Sequence, residues 1–190
     1  MKGPTRIAVA ALSLSAAGFV GLVAHEGYTD RAIIPVKGDR PTVGFGSTFR
    51  DDGTPVRMGD TITPPRAVAR TMAHIAKDET RLKQCVTAPV NQVEYDLLVD
   101  HAYQYGAVAT CGSGVVRLTN QARYAEACEA YLAWRFMTSP VARPGWEPFR
   151  FDSSGRPIRW RFDCTTPGNR VCAGVGKRSA ERAAKCMAAQ

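Results

Sequence analysis

The sequence has no CxxC pair and no cluster of cysteine and histidine at zinc-finger spacing, which argues against a metal site as an organising element. It has one long uncharged run, residues 7–24, where a polytopic membrane protein needs several. No internal repeat, low-complexity tract or recognised nucleic-acid motif interrupts it. Acidic residues are the scarcer sign, 17 Asp and Glu against 25 Lys and Arg in 190 residues, giving a formal net charge of +8. That excess suits an anionic polymer or membrane phosphates as a partner. With 45% hydrophobic residues the chain is not disordered, and a fold of this length buries roughly 70% of its unfolded surface. One globular domain with its own core is expected.

Six cysteines are present: Cys85, Cys111, Cys128, Cys164, Cys172 and Cys186. An even count behind an export-like N-terminus reads as up to three disulfides made in an oxidising compartment. The local candidates are Cys164 with Cys172, closing a short loop, and Cys111 with Cys128, tying two adjacent helices; Cys85 with Cys186 is what remains.

Lys2 and Arg6 precede residues 7–24, IAVAALSLSAAGFVGLVA, which carry no charge. As a helix this run rises about 27 Å, just short of a bilayer core of roughly 30 Å. Ten of its 18 residues are Ala, Gly or Ser, whose transfer out of water gains little. A cleaved signal peptide, a permanent anchor and a reversible signal-anchor later released into the periplasm are the three readings. Leu22-Val23-Ala24 fits a cleavage site poorly, so the releasable anchor is preferred, with residues 1–24 as anchor and 25–190 as the folded domain. No cysteine lies in residues 7–24, so control by disulfide exchange within the anchor is not expected.

Residues 26–48, broken by Pro35, Gly38 and Pro41, read as a small β-hairpin region. Thr63 followed by Pro64 and Pro65 starts a helix over 64–83, with Val68, Met72, Ile75 and Leu82 inward. Asn91 and Glu94 make a capping-box start for a helix carrying Val93, Leu97, Leu98, His101, Ala102 and Tyr105, stopped by Gly106. Two helices over 113–120 and 123–136 follow. Residues 137–172 read as a long ordered loop pinned by aromatics and a disulfide, and a last helix spans 177–187. His74 and His101 are expected to pack on helix faces.

Glu26 stands directly after the apolar run, in His25-Glu26-Gly27. A carboxylate against an apolar helix is partly withdrawn from water, as a general acid requires, whereas His25 reads as a structural neighbour. Asp39 and Thr42 follow in the hairpin, and two carboxylates facing one cleft meet the needs of glycoside hydrolysis. The wording of these segments, Glu26-Gly27, Ile34-Pro35-Val36-Lys37 and above all Pro41-Thr42-Val43-Gly44-Phe45-Gly46-Ser47-Thr48, resembles the phage-type lysozymes of glycoside hydrolase family 24, the endolysins. The likeness continues through residues 90–100, Trp134-Arg135 and the basic final helix.

The resemblance implies an α+β, mainly helical, phage-lysozyme-like fold, with a β-hairpin lobe, a helical lobe and the active site between them. It implies hydrolysis of the β-1,4 bond between N-acetylmuramic acid and N-acetylglucosamine in bacterial peptidoglycan, leading to host cell lysis. Glu26 would be the general acid, Asp39 would position the water and Thr42 would assist it. Asp39 departs from the family spacing, which places eight residues after the Glu and five before the Thr, and Asp30 is the other acid in reach. No cofactor, metal or nucleic acid is expected, and the enzyme would be a monomer. A lytic transglycosylase is the nearest enzymatic alternative, and a basic, non-catalytic murein-binding or membrane-disrupting envelope protein the alternative of another class. Trp134 reads as a core aromatic, while Trp146 and Trp160 are the candidates for substrate contact.

Overall fold

The computed structural model describes residues 4–35 and 40–190. They cluster into two compact units, Thr5–Val116 and, together with Pro4, Arg117–Gln190.

In the first unit, residues 7–24 are not one helix. Val9–Ala11 is a 3-10 turn, and helix α1 runs only over Ala16–Glu26. Ser15 sets its start, because the Ser15 hydroxyl accepts the Gly18 N–H at 2.9 Å and satisfies a donor that a continuous helix would leave inside. The segment is pinned to the unit by polar contacts. Ile7 and Val90 exchange backbone hydrogen bonds of 3.0 Å, and the Arg6 guanidinium meets Glu94 at 2.6 Å. The Leu14 N–H donates to Glu79 at 2.8 Å, while the Ser15 N–H and hydroxyl bind the Asp96 carboxylate at 2.9 and 2.5 Å. Among the described residues no helix is long and apolar enough to cross a membrane.

Strands β1 (Thr29–Ile33) and β2 (Thr42–Gly44) pair antiparallel, with Thr29 opposite Gly44 and Ile33 opposite Thr42. Ala32, Val43, Val56, Ile62 and Ala67 form their core, with Phe45 packed against it. The loop after them is held by Arg50, whose guanidinium donates two 2.7 Å bonds to Asp60. These bonds, with the Arg57 N–H, hold the Asp60 carboxyl at about 2.

Helix α2 (Pro64–Cys85) buries Ala67, Thr71, Ile75, Asp78 and Leu82. The expected face is therefore turned by about one residue, leaving Val68 half-buried and Met72 exposed. The cause is the hairpin: a Cβ on Gly44 would sit 3.0 Å from the Ala67 Cβ, a contact only a small residue permits. Helix α3 (Gln92–Tyr105) has the expected capping box, with Asn91 Oδ1 accepting the Glu94 N–H at 2.9 Å and Glu94 Oε2 accepting the Asn91 N–H at 2.8 Å. Val93 is exposed, and His101 is fully buried with Nδ1 2.8 Å from the Thr110 hydroxyl. Helix α4 (Ala107–Cys111) follows the turn at Gly106.

Helix α5 (Gly114–Asn120) spans the boundary. The second unit then holds α6 (Tyr124–Ala130), a 3-10 turn over Tyr131–Trp134, β3 (Phe136–Ser139), β4 (Glu147–Phe151), β5 (Pro157–Asp163) and α7 (Ala173–Ala188). The loop expected over 137–172 is thus largely a three-stranded antiparallel sheet in the order β3-β5-β4. Ile158-Arg159-Trp160-Arg161-Phe162-Asp163 alternates apolar with charged residues at the period of two, a strand signal that the loop reading of this proline-rich stretch passed over. In Asp163 burial works upward, but bonds from Thr165 and Arg135 prevail and hold the carboxyl at about 2.

Cys164–Cys172 forms as expected, while the other two expected pairs are replaced by Cys85–Cys111 and Cys128–Cys186. Cys85 and Cys111 end the packed helices α2 and α4, and Cys128 and Cys186 lie on the packed helices α6 and α7, bringing Cα atoms to 5.7 and 5.3 Å. Each bridge closes within one unit.

Candidate active site

Glu26 is the last residue of α1, half-buried, and the helix ends there because Gly27 takes φ 68 while its N–H returns to the Val23 carbonyl at 3.1 Å. The carboxylate faces a tight turn. Val43 and Ser47 exchange backbone bonds of 3.0 and 3.1 Å, closing a loop of Gly44, Phe45 and Gly46. Gly44 and Gly46 have φ of 69 and 74, which side-chain-bearing residues rarely adopt. A Cβ on Gly46 would lie 3.0 Å from Glu26 Oε2, so this glycine is what lets the turn's backbone reach the carboxylate. Thr42 opens β2 one residue before the closed loop, half-buried. The structure thus brings Glu26 and the strand bearing Thr42 to one turn. Asp39 lies outside the described residues, and Asp30 is an exposed residue of β1.

Phe45 is fixed from two sides. The Tyr28 ring lies 5.5 Å from its ring, with the Tyr28 hydroxyl bonded to the Ile62 carbonyl at 2.8 Å. The Tyr103 hydroxyl donates to the Phe45 carbonyl at 2.6 Å. Burial pushes that hydroxyl up from the ordinary tyrosine value, Thr71 and Ser47 pull against it, and the negative charges of Glu26 and Asp78 add to the rise. The His74 ring lies tilted 5.1 Å from the Tyr103 ring with its Nε2 3.3 Å from the Asp78 carboxylate, so it sits on a helix face as expected.

Tyr103 is the residue that reading the sequence passed over. It falls off the inward face of α3, and its signal was its place at the helix end, three residues before Gly106. Trp134 is half-buried within the second unit, and Trp146 and Trp160 lie in or beside its sheet. No group of three or more His, Cys, Asp or Glu able to hold a metal occurs among the described residues.

Residues 23–144 match the family model described as Phage lysozyme. The endolysin of Salmonella phage P22 is 32% identical over 124 residues, 65% of this chain and 84% of that one. Among solved structures, the endolysin from Escherichia coli O157:H7 phage FAHEc1 aligns with a TM-score of 0.69 at 23% identity, over 93% of this chain and 94% of that one. The muramidase domain of SpmX from Asticaccaulis excentricus aligns with a TM-score of 0.66 at 20% identity, over 92% and 97%. The chain belongs to the phage lysozyme family. It is a glycoside hydrolase, a lysozyme acting as a peptidoglycan-hydrolysing endolysin.

Proposed function

We propose that Glu26 is the general acid, protonating the glycosidic oxygen between N-acetylmuramic acid and N-acetylglucosamine, while water held by Asp39 and Thr42 attacks the anomeric carbon. The observation that carries this is the approach of Gly46 to Glu26 Oε2, which sets a half-buried carboxylate against a rigid backbone wall beside the strand bearing Thr42. Acid and water must stand on opposite sides of the sugar for inversion. Phe45, clamped by Tyr28 and Tyr103, keeps the wall in place. Glu26→Gln, which keeps shape and removes the transferable proton, should release no muropeptides from purified peptidoglycan while melting near the wild-type temperature; wild-type-like release would overturn the assignment.

The same reading extends to control. Residues 7–24 tether the newly exported enzyme to the inner membrane with Glu26 at the bilayer edge, and release lets them repack as α1 in the periplasm, producing an active monomer that lyses the host. Two observations support it. The segment is weakly apolar, and its folded position has dedicated polar partners in Glu79 and Asp96, with Arg6 just ahead of it held by Glu94. Gly21→Leu is the cleanest lock, since nothing lies within 4 Å of a Cβ there, whereas Gly18 would collide with Asp96 and Leu14 at 2.7 Å. A Gly21→Leu chain that lyses cells as fast as wild type would exclude this control.

A further inference from the structure

The β4–β5 hairpin lies wholly beyond the residues that the family model matches. Its free end gathers apolar side chains with no core behind them. Phe151 is 55% exposed, Ile158 48% and Val141 64%. Phe151 pairs with Pro157, next to Ile158, and Ser139 at the end of β3 pairs with Trp160 while its hydroxyl bonds the Val141 N–H and C=O at 3.0 and 2.8 Å. Phe151 and Ile158 thus flank the turn, and Val141 follows the end of β3.

Arg150 and Arg159 on the ladder and Arg156 in the turn lie beside them. The acid nearest the turn is already engaged: Asp152 closes it, accepting the Ser154 N–H at 2.8 Å, the Ser154 hydroxyl at 2.7 Å and the Arg156 N–H at 2.9 Å, and pairs with the Arg156 guanidinium at 3.5 Å. Arg150 and Arg159 sit directly opposite each other across the ladder, an arrangement that costs stability. Irregularities on both sides of Arg150 re-aim it. Among the described residues neither guanidinium has a hydrogen-bond or ion-pair partner.

We propose that this end of the sheet docks on an anionic phospholipid surface. Ile158 and Val141 offer no flat face to a sugar ring, and with Phe151 they suit the boundary between headgroups and acyl chains. Arginines beside them can keep their stems along that apolar layer and direct their guanidinium groups to phosphates in two-point contacts. The charge complements such a surface, and the docking is independent of both the hydrolytic assignment and the N-terminal tether.

The test is sedimentation of the full chain with phosphatidylcholine vesicles, with and without phosphatidylglycerol. Wild type should bind the anionic vesicles preferentially. Phe151→Ser with Ile158→Ser should lower the partition coefficient about tenfold, and Arg150→Gln with Arg159→Gln about tenfold or more on anionic vesicles only. Val108→Ser, removing a 67% exposed valine from α4, should leave it unchanged. Every variant keeps residues 7–24, so differences between them belong to the sheet, and far-ultraviolet circular dichroism checks folding. Equal partition of the Phe151→Ser/Ile158→Ser chain and wild type would overturn the proposal. So would wild-type binding indifferent to phosphatidylglycerol, or variants that lose retention on purified sacculi but not on vesicles.

Discussion

The molecule carries two hairpins built on opposite plans. In β1–β2 the inward residues Ala32 and Val43 are 5% and 1% exposed, the turn that follows β2 is closed by two backbone bonds, and two tyrosines fix its Phe45. In β4–β5 no residue is fully buried, and arginines stack on aromatic rings instead, Arg161 lying 4.5 Å from the Phe136 centroid and 5.8 Å from that of Phe149. A hairpin that presents a backbone wall to a reacting carboxylate has to be rigid, and burial gives it rigidity. A hairpin with apolar and cationic side chains outward is organised for a partner.

That contrast can be broken or sharpened experimentally. The largest effect belongs to the clamped hairpin's carboxylate: Glu26→Gln should lower the rate of peptidoglycan hydrolysis on the order of 10³-fold, measured by release of reducing ends. Next come the covalent ties in the second unit. The Cys128–Cys186 bridge has a sequence separation of 58 and Cys164–Cys172 one of 8. Chain entropy then assigns about 4 kcal/mol to the first and about 2.5 kcal/mol to the second, to be compared by denaturant unfolding of the paired Cys→Ala variants. Val43→Ala should cost about 2 kcal/mol, whereas Phe151→Ser should stay within about 0.5 kcal/mol; equal costs would erase the distinction between the hairpins. Tyr103→Phe strands the Phe45 carbonyl and should cost roughly 1 kcal/mol, with a several-fold fall in kcat and little change in KM. The smallest effect is one of pH. Asp60 has its folded value depressed to about 2, so its tie to Arg50 stabilises above the unfolded aspartate value near 3.9 and fades as pH falls between about 4 and 2. Asp60→Asn should lower Tm slightly at neutral pH and not at all below about pH 2.

The clamped hairpin was legible because its signals are local: glycines in a fixed pattern, a glutamate next to an apolar run, and a threonine before the turn. The capping box at Asn91 and Glu94 was legible for the same reason. Long-range packing was not. The face of α2 depends on Gly44 approaching Ala67, a contact between residues 23 apart, and no periodicity within the helix reveals it. The cysteine pairs depend on which helices touch. Residues 136–163 read as loop because prolines and glycines break up the stretch, although Ile158–Asp163 alternates apolar with charged residues as a strand does. Ser15 split the apolar run because its binding to Asp96 joins residues 81 apart.

The most direct measurement is mass analysis of the muropeptides released from purified peptidoglycan by the oxidised wild-type protein and by Glu26→Gln. Saturated products with reducing ends from the wild type, and none from Glu26→Gln, are what a lysozyme with Glu26 as its acid must give. Anhydro-muramic ends from the wild type, or equal release by the two proteins, would contradict it.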